Sequence, residues 1–566
     1  MRNFFACSCQ WLILLVLGGP AAQAQAPSWQ TVVGIVPTTG GSSSVSATAV
    51  DAAGNIIVVG NFSGTVSFGA TTLTSAGYFN AFVAKWSPGS GSFIWAYRAG
   101  GTVNDEASAV AINGNNIYIA GSFRSRVANF GPISMTNGST INVSDYPSDL
   151  FVAKLTDAGA SADFVWVKQP AGTYAEECTG LVVNGNQVYV TGNIYGTAPP
   201  GSPGQSGCNG CLNYVAFGTI SLPATMGWAP DGFVAKLDDA GTSATWIWAT
   251  RIGGPGDDYI KAVALNGNSI YYAGRIEQPP FGLPTGTWYT IGKLTDVGST
   301  FTLTWTQGSA DTGNDFASAL VTNGSDVYVA GRFKRTFSYA STILRSAGSD
   351  DVFVAKLVDT GAASSFAWAQ RAGGSFADDA TALAVKGSSV YTAGYFGYSN
   401  ISNKVWVARF VDSGAASNFV WEQQSSTGGG ASALALNWAS VWVAGAAGLP
   451  ASFGSLSVGG PARSSAGFLA SLLDATGLAT VSTVALSATV LFPNPAHGHA
   501  TVQLPVIPGT ATATLTLLDA LGRTLRTQTA ATNSKAELDL TGLAPGLYAL
   551  RVMAGTQTAT RHLVVE

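Results

Sequence analysis

Ala109–Gly121 reads AVAINGNNIYIAG, Ala262–Gly274 reads AVALNGNSIYYAG and Ala382–Gly394 reads ALAVKGSSVYTAG. Each is an apolar run, a tight polar turn and a second apolar run that closes on glycine. In the first two, Asn-Gly stands between alternating apolar residues, which is the strongest short-range hairpin signal because both turn residues must reach positive φ. Similar segments recur along the chain, with closing glycines at Gly60, Gly121, Gly192, Gly274, Gly331, Gly394 and Gly445. One copy cannot bury its apolar face alone, so the array has to be read as stacked units.

A third strand follows each closing glycine, as FVAK at Phe82–Lys85, Phe151–Lys154, Phe233–Lys236 and Phe353–Lys356, with weaker copies ending at Lys293, Arg409 and Ser471. A fourth strand carries Trp95, Trp166, Trp248, Trp305, Trp368 or Trp421. Four strands per unit predict an all-β, seven-bladed β-propeller over residues 27–480. From the third-strand basic residue to the tryptophan the distance is 12 residues in five units. From closing glycine to that basic residue it runs from 15 to 44, so insertions fall between the second and third strands. The seventh unit lacks a tryptophan strand after Ser471, and the segment containing Trp29 is expected to supply it and close the ring.

The run Ala49–Gly60 (AVDAAGNIIVVG), with the FVAK strands, resembles the bacterial seven-bladed propeller (SBBP-type) repeat. That family is defined by fold, so the resemblance implies architecture and no activity.

The remaining composition bounds the function. Only 10% of the 566 residues are charged, and the net charge is −4, which gives no electrostatic reason to expect nucleic-acid binding. Residues 1–26 read as a secretory signal: Arg2, an apolar stretch from Trp11 to Leu17, then Ala22-Gln23-Ala24. No later run is long and apolar enough for a spanning helix, so no membrane span is expected in the mature chain, which is read as a monomer. Of the cysteines beyond the signal, Cys208 and Cys211 can close a local disulfide, or Cys178 can pair with either one.

Residues 481–566 change character to short alternating runs, predicting a small C-terminal β-sandwich. Phe492-Pro493-Asn494-Pro495, Pro545-Gly546-Leu547-Tyr548 and Arg561-His562-Leu563-Val564-Val565 follow in that order. They resemble the type A sorting domain of bacterial type IX secretion, with Pro493, Asn494, Pro495, Gly546, Tyr548 and Arg561 on its motifs. The resemblance implies the type IX machinery as a partner and a secreted or outer-membrane surface location.

Strand alternation places the variable insertions on the face where each innermost strand begins, a face that in repeat proteins often binds. An acidic residue precedes most of those strands: Asp105, Glu176, Asp258, Asp315 and Asp378. Convergent carboxylates there suit Ca²⁺ or a cationic ligand, and no other cofactor is implied. Alternatively each acid accepts loop hydrogen bonds or pairs with Arg98, Arg251 or Arg371. Trp228 and Trp288 break the phase of the repeat tryptophans and are candidate contacts with a surface glycan or protein ligand. An exported binding, adhesion or scaffold module is the leading reading. A carbohydrate-active hydrolase using face carboxylates is the alternative, although the propeller has no histidine, no GxSxG and no HExxH.

Overall fold

The computed structural model describes residues 25–38, 40–138, 147–172, 175–195, 214–223, 229–254, 256–277, 287–310, 316–339, 342–399, 402–437, 440–474, 489–505, 512–519, 523–554 and 557–566. Most of the signal sequence, with Asp315, Trp228, Cys208 and Cys211, lies outside them, as does the Trp288 side chain. All described regular structure is β-strand. The chain divides into two compact units, Met1–Gly477 and Leu478–Glu566.

In the larger unit each repeat forms a four-stranded antiparallel meander. The fourth repeat shows the pattern: Tyr259–Asn266, Ser269–Glu277, Thr287–Asp296 and Phe301–Ala310 pair in order. Repeats two to five stand as separate sheets, and the others join in a 13-stranded sheet. Within it, Ser417–Asn437 pairs through its first half with Ser402–Asp412 and through its second half with Ser440–Gly448. The strand Trp29–Pro37 pairs with Ser465–Leu473, placing Thr31 opposite Ser471. The first strands of repeats one to seven neighbour one another in sequence order, and the seventh neighbours the first.

The closing glycines have a steric cause. In every repeat the first strand carries a register shift opposite them, for example between Ile260 and Ala262. A Cβ on Gly274 would collide with the Tyr259 carbonyl, and one on Gly60, Gly121, Gly331 or Gly394 would meet the equivalent carbonyl. The bulge thus requires glycine across from it.

What ties one repeat to the next is a buried polar cluster. Lys236 Nζ donates to Asp296 Oδ2 at 2.7 Å, Tyr189 Oη to the same oxygen at 2.7 Å, and Trp248 Nε1 to Oδ1 at 3.0 Å. All three donors come from the third repeat and the acceptor from the fourth. The arrangement recurs with Lys154, Tyr118 and Trp166 on Asp239, with Lys293, Tyr271 and Trp305 on Asp359, and with Lys356, Tyr328 and Trp368 on Asp412. Burial alone would raise the Asp296 carboxyl, but these donors outweigh it and hold the group below its ordinary value. The repeat tryptophans are therefore core residues with one fixed acceptor. A second link runs from turn to turn: Asn184 Nδ2 donates to Gly267 O, Asn266 to Gly324 O, Asn323 to Gly387 O and Asn437 to Gly54 O.

Among the described residues, three insertions contain β-hairpins with a sequence pattern of their own. Phe130-Gly131, Phe217-Gly218 and Phe453-Gly454 mark their turns, and these phenylalanines are buried. The hairpin Val127–Phe130 with Ile133–Thr136 pairs back onto the preceding repeat, Ala99 opposite Phe130. In the smaller unit, sheets of three and four strands share an apolar core that includes Val502, Leu515, Leu538, Leu550 and Leu563.

Candidate functional site

The acids that precede the first strands turn inward. Asp258 accepts hydrogen bonds from the Gly254 amide at 2.6 Å and the Glu277 amide at 2.7 Å, and Asp378 from Gly374 at 2.7 Å and Gly397 at 2.8 Å. Asp105 accepts from Gly101, Arg124 and both donors of Ser125. Each carboxylate fastens its own loop to the end of the second strand. Glycine precedes the clasp because space is lacking: Gly100 has φ of +120°, and a Cβ on it would press on Asp105. Arg251 and Arg371 pair instead with Asp231 and Asp351, while Arg98 donates to the Thr74 carbonyl.

These carboxylates are costly to ionise. Burial, reinforced by the charge of Asp231, pushes Asp258 up to about 7 against the two amides. Burial, with Asp351 and Glu422, pushes Asp378 up to about 6. Glu176 is fully buried beside Asp149, and its carboxyl is raised by burial first and by that neighbouring charge second. Among the described residues, no group of three or more His, Cys, Asp or Glu has an arrangement able to hold a metal ion. A calcium ion at these positions would have to displace backbone amides from the aspartates. Cys178 is a free, buried thiol, pushed by burial up to about 12.

Because side chains alternate along a strand, the residue after each buried acid faces the other way. Those residues are Glu106, Glu177, Tyr259 and Asp379, and together with Phe316, at the same position of the fifth repeat, they line two cavities. One, about 390 Å³, is lined by Asn61, Glu106, Ser122, Arg124 and Glu177 among others. Burial and then Glu177 raise the Glu106 carboxyl. The other, about 650 Å³, is bounded by Tyr259, Lys261, Arg275, Phe316, Arg332 and Asp379, with the hydroxyls of Ser318 and Thr381. Its chemistry is distinct. The Arg275 and Arg332 guanidinium groups lie 5.6 and 5.1 Å from the Phe316 ring centre, and Lys261 Nζ lies 5.5 Å from that of Tyr259. The two rings are 6.4 Å apart at 57°. Arg332 also reaches Asp379 at 3.4 Å. Aromatic faces, hydroxyls and cations around one cavity are groups able to contact a polar ligand.

The three C-terminal motifs meet on the last strand. Asn494 accepts from the Val564 amide at 2.8 Å and donates to the His562 carbonyl at 2.7 Å, flanked by the cis bonds before Pro493 and Pro495. Arg561 Nε donates to the Thr489 carbonyl at 2.9 Å, and Tyr548 Oη to Ala544 at 2.7 Å; Gly546 opens the strand Gly546–Ala554.

The fold and site thus define an all-β repeat chain with a ligand-sized cavity on its first strands. Residues 490–566 match the family of secretion system C-terminal sorting domains. The protein is accordingly exported, secreted or held at the cell surface, and a sorting domain of this kind engages the secretion machinery. No curated protein matches the chain by sequence. Among solved structures, Trypanosoma rangeli sialidase is similar at 10% identity and a TM-score of 0.31, over 95% of this chain and 85% of that one. A mutant of that sialidase displaying trans-sialidase activity is similar at 9% identity and a TM-score of 0.32, over 95% and 89%. A likeness of this size assigns no activity to the chain. No helix among the described residues is long and apolar enough to cross a membrane.

Proposed function

We propose that the chain is an exported seven-bladed β-propeller of the SBBP-repeat kind, delivered by type IX secretion, that binds a surface or extracellular ligand through the face on which its first strands begin. The ring is supported by the cyclic order of first-strand neighbours, by the pairing of Trp29–Pro37 with Ser465–Leu473, and by the Asn437 to Gly54 bond across the seam. The C-terminal residues would form a β-sandwich from their two sheets. The observation that carries the binding role is the 650 Å³ cavity, where Tyr259, Phe316, Arg275 and Arg332 come together with no evident structural need for so many cations.

The test is a screen of the full exported chain against polysaccharides and surface glycoproteins, measuring bound ligand and released reducing ends together. Binding without release, abolished by Phe316→Ala in protein of unchanged melting temperature, is the expected result. Release of reducing ends would instead establish a hydrolase using carboxylates of this face. A protein that gives neither signal would have no binding role and would serve as a surface scaffold.

A further inference from the structure

We infer that the cavity formed by the fourth, fifth and sixth repeats takes an anionic saccharide, its acid group seated between Arg275 and Arg332. The inference rests on the binding reading above and adds the chemical class of the ligand. Its first ground is charge. Lys261, Arg275 and Arg332 stand on three strands around one cavity, and among the described residues Asp379, at 3.4 Å from Arg332, is the one carboxylate that lines it. Arg275 forms no ion pair with a described carboxylate. The local excess of positive charge contrasts with the net −4 of the chain.

The second ground is hydrogen-bonding demand. The Nε groups of Arg275 and Arg332 are both buried, and neither has an acceptor among the described residues. A buried donor left unmatched is unfavourable, and guanidinium donors in a fixed fork suit the paired oxygens of a carboxylate or sulfate. Contact with the Phe316 ring, 5.6 and 5.1 Å from the two guanidinium carbons, restrains both side chains before any ligand arrives, so less conformational freedom is lost on binding.

The third ground is the rest of the lining. Tyr259 and Phe316 offer ring faces to the apolar C–H side of a sugar, Ser318 offers a hydroxyl to its polar edge, and Thr381, whose hydroxyl donates to the Ala431 carbonyl at 2.7 Å, offers an acceptor oxygen. A volume of about 650 Å³ falls within the range of small-molecule sites. The smaller cavity, lined by Glu106 and Glu177, repels an anion, so an acidic ligand has one favourable half of the face.

Titration calorimetry on the full exported chain tests this with three oligosaccharides of similar length: an oligogalacturonate, a chondroitin sulfate fragment and a neutral maltodextrin. At least one acidic ligand should bind at least tenfold more tightly than the neutral one, and the better of the two identifies the acid as carboxylate or sulfate. Arg275→Gln should weaken that binding by about tenfold, the loss of roughly one charge-assisted contact. Lys261→Gln, at an exposed position, should weaken it less and leave the melting temperature unchanged, which keeps the test informative if the Arg275 variant is unstable. Equal affinity for the neutral ligand, or acidic binding untouched by both variants, overturns the anion assignment while leaving a binding module. No affinity for any of the three overturns the assignment as well, and the broader screen then decides whether the binding reading survives.

Discussion

Asp258 and Asp296 sit at opposite ends of the same repeat, both buried and both hydrogen-bonded, yet their carboxyls are shifted in opposite directions. Asp296 receives an ammonium, a phenol and an indole from the preceding repeat and is held ionised. Asp258 receives backbone amides alone, beside a second carboxylate, and is pushed up to about 7. At the first end, charge fixes how one repeat meets the next, so the residues recur with little freedom. At the other end, Asp258 secures only its own loop, and the residue at the position beside the acid varies among Glu106, Glu177, Tyr259, Phe316 and Asp379. That variation is where the repeats become chemically different from one another.

Removing the acceptor at the rigid end should have the largest effect. Asp296→Ala strands Lys236, Tyr189 and Trp248 together, and breaking a buried pair in this way costs about 3 to 5 kcal/mol. Urea denaturation of the full chain should show it as a loss of that order, whereas Asp258→Asn at pH 8 should cost well under half as much. Equal costs would erase the distinction between the two ends.

The next effect is on pH dependence. Asp149, Asp258 and Asp378 have folded values raised to about 7, 7 and 6 from an ordinary 3.8, so the folded state binds more protons than the unfolded one. Their stabilising contribution is fully present below 3.8 and is lost as pH rises through 6 to 7. Asp239, Asp296, Asp359 and Asp412 are lowered, so theirs is present above 3.8 and is lost as pH falls through the lower folded values. Melting temperature should therefore be higher at pH 5 than at pH 8, and Asp258→Asn with Asp378→Asn should flatten that slope. A profile that rises from pH 5 to pH 8 would contradict the assignment.

The smallest effect is at the seam. There the cluster is replaced: Ser471 stands where the other repeats have lysine or arginine, Trp442 where repeats two to six have tyrosine, and Trp29 donates to the Gln424 carbonyl. Trp86, Trp442 and Leu469 share an apolar cluster instead. The Asn437 bond to Gly54 remains as a polar link, and Asn437→Ala should cost about 1 kcal/mol in the same denaturation assay.

The units themselves were legible from the sequence because a polar turn and a closing glycine recur together in the hairpins, and the third-strand basic residue and the tryptophan recur 12 residues apart in five units. The aspartate that joins lysine to tryptophan was not, since it belongs to the following repeat: Lys236 and Asp296 are 60 residues apart, and Tyr189 and Asp296 are 107 apart. Insertion lengths concealed a second recurrence, the Phe-Gly hairpin turns, which a comparison of the insertions with one another would have found. The acids before the first strands were visible, but strand alternation turns them inward and presents their neighbours. Tyr259 and Phe316 look like ordinary strand residues in a sequence, and their meeting with Arg275 and Arg332 depends on packing between repeats.

The most direct test is to label the aspartate carboxyl carbons with ¹³C and follow them by NMR as pH is varied, assigning Asp258, Asp378, Asp296 and Asp359 by their Asn variants. Asp296 and Asp359 should titrate below 3.8, and Asp258 and Asp378 near 7 and 6. A single shared midpoint for all four would contradict the division of each repeat into a charge-locked end and a free one.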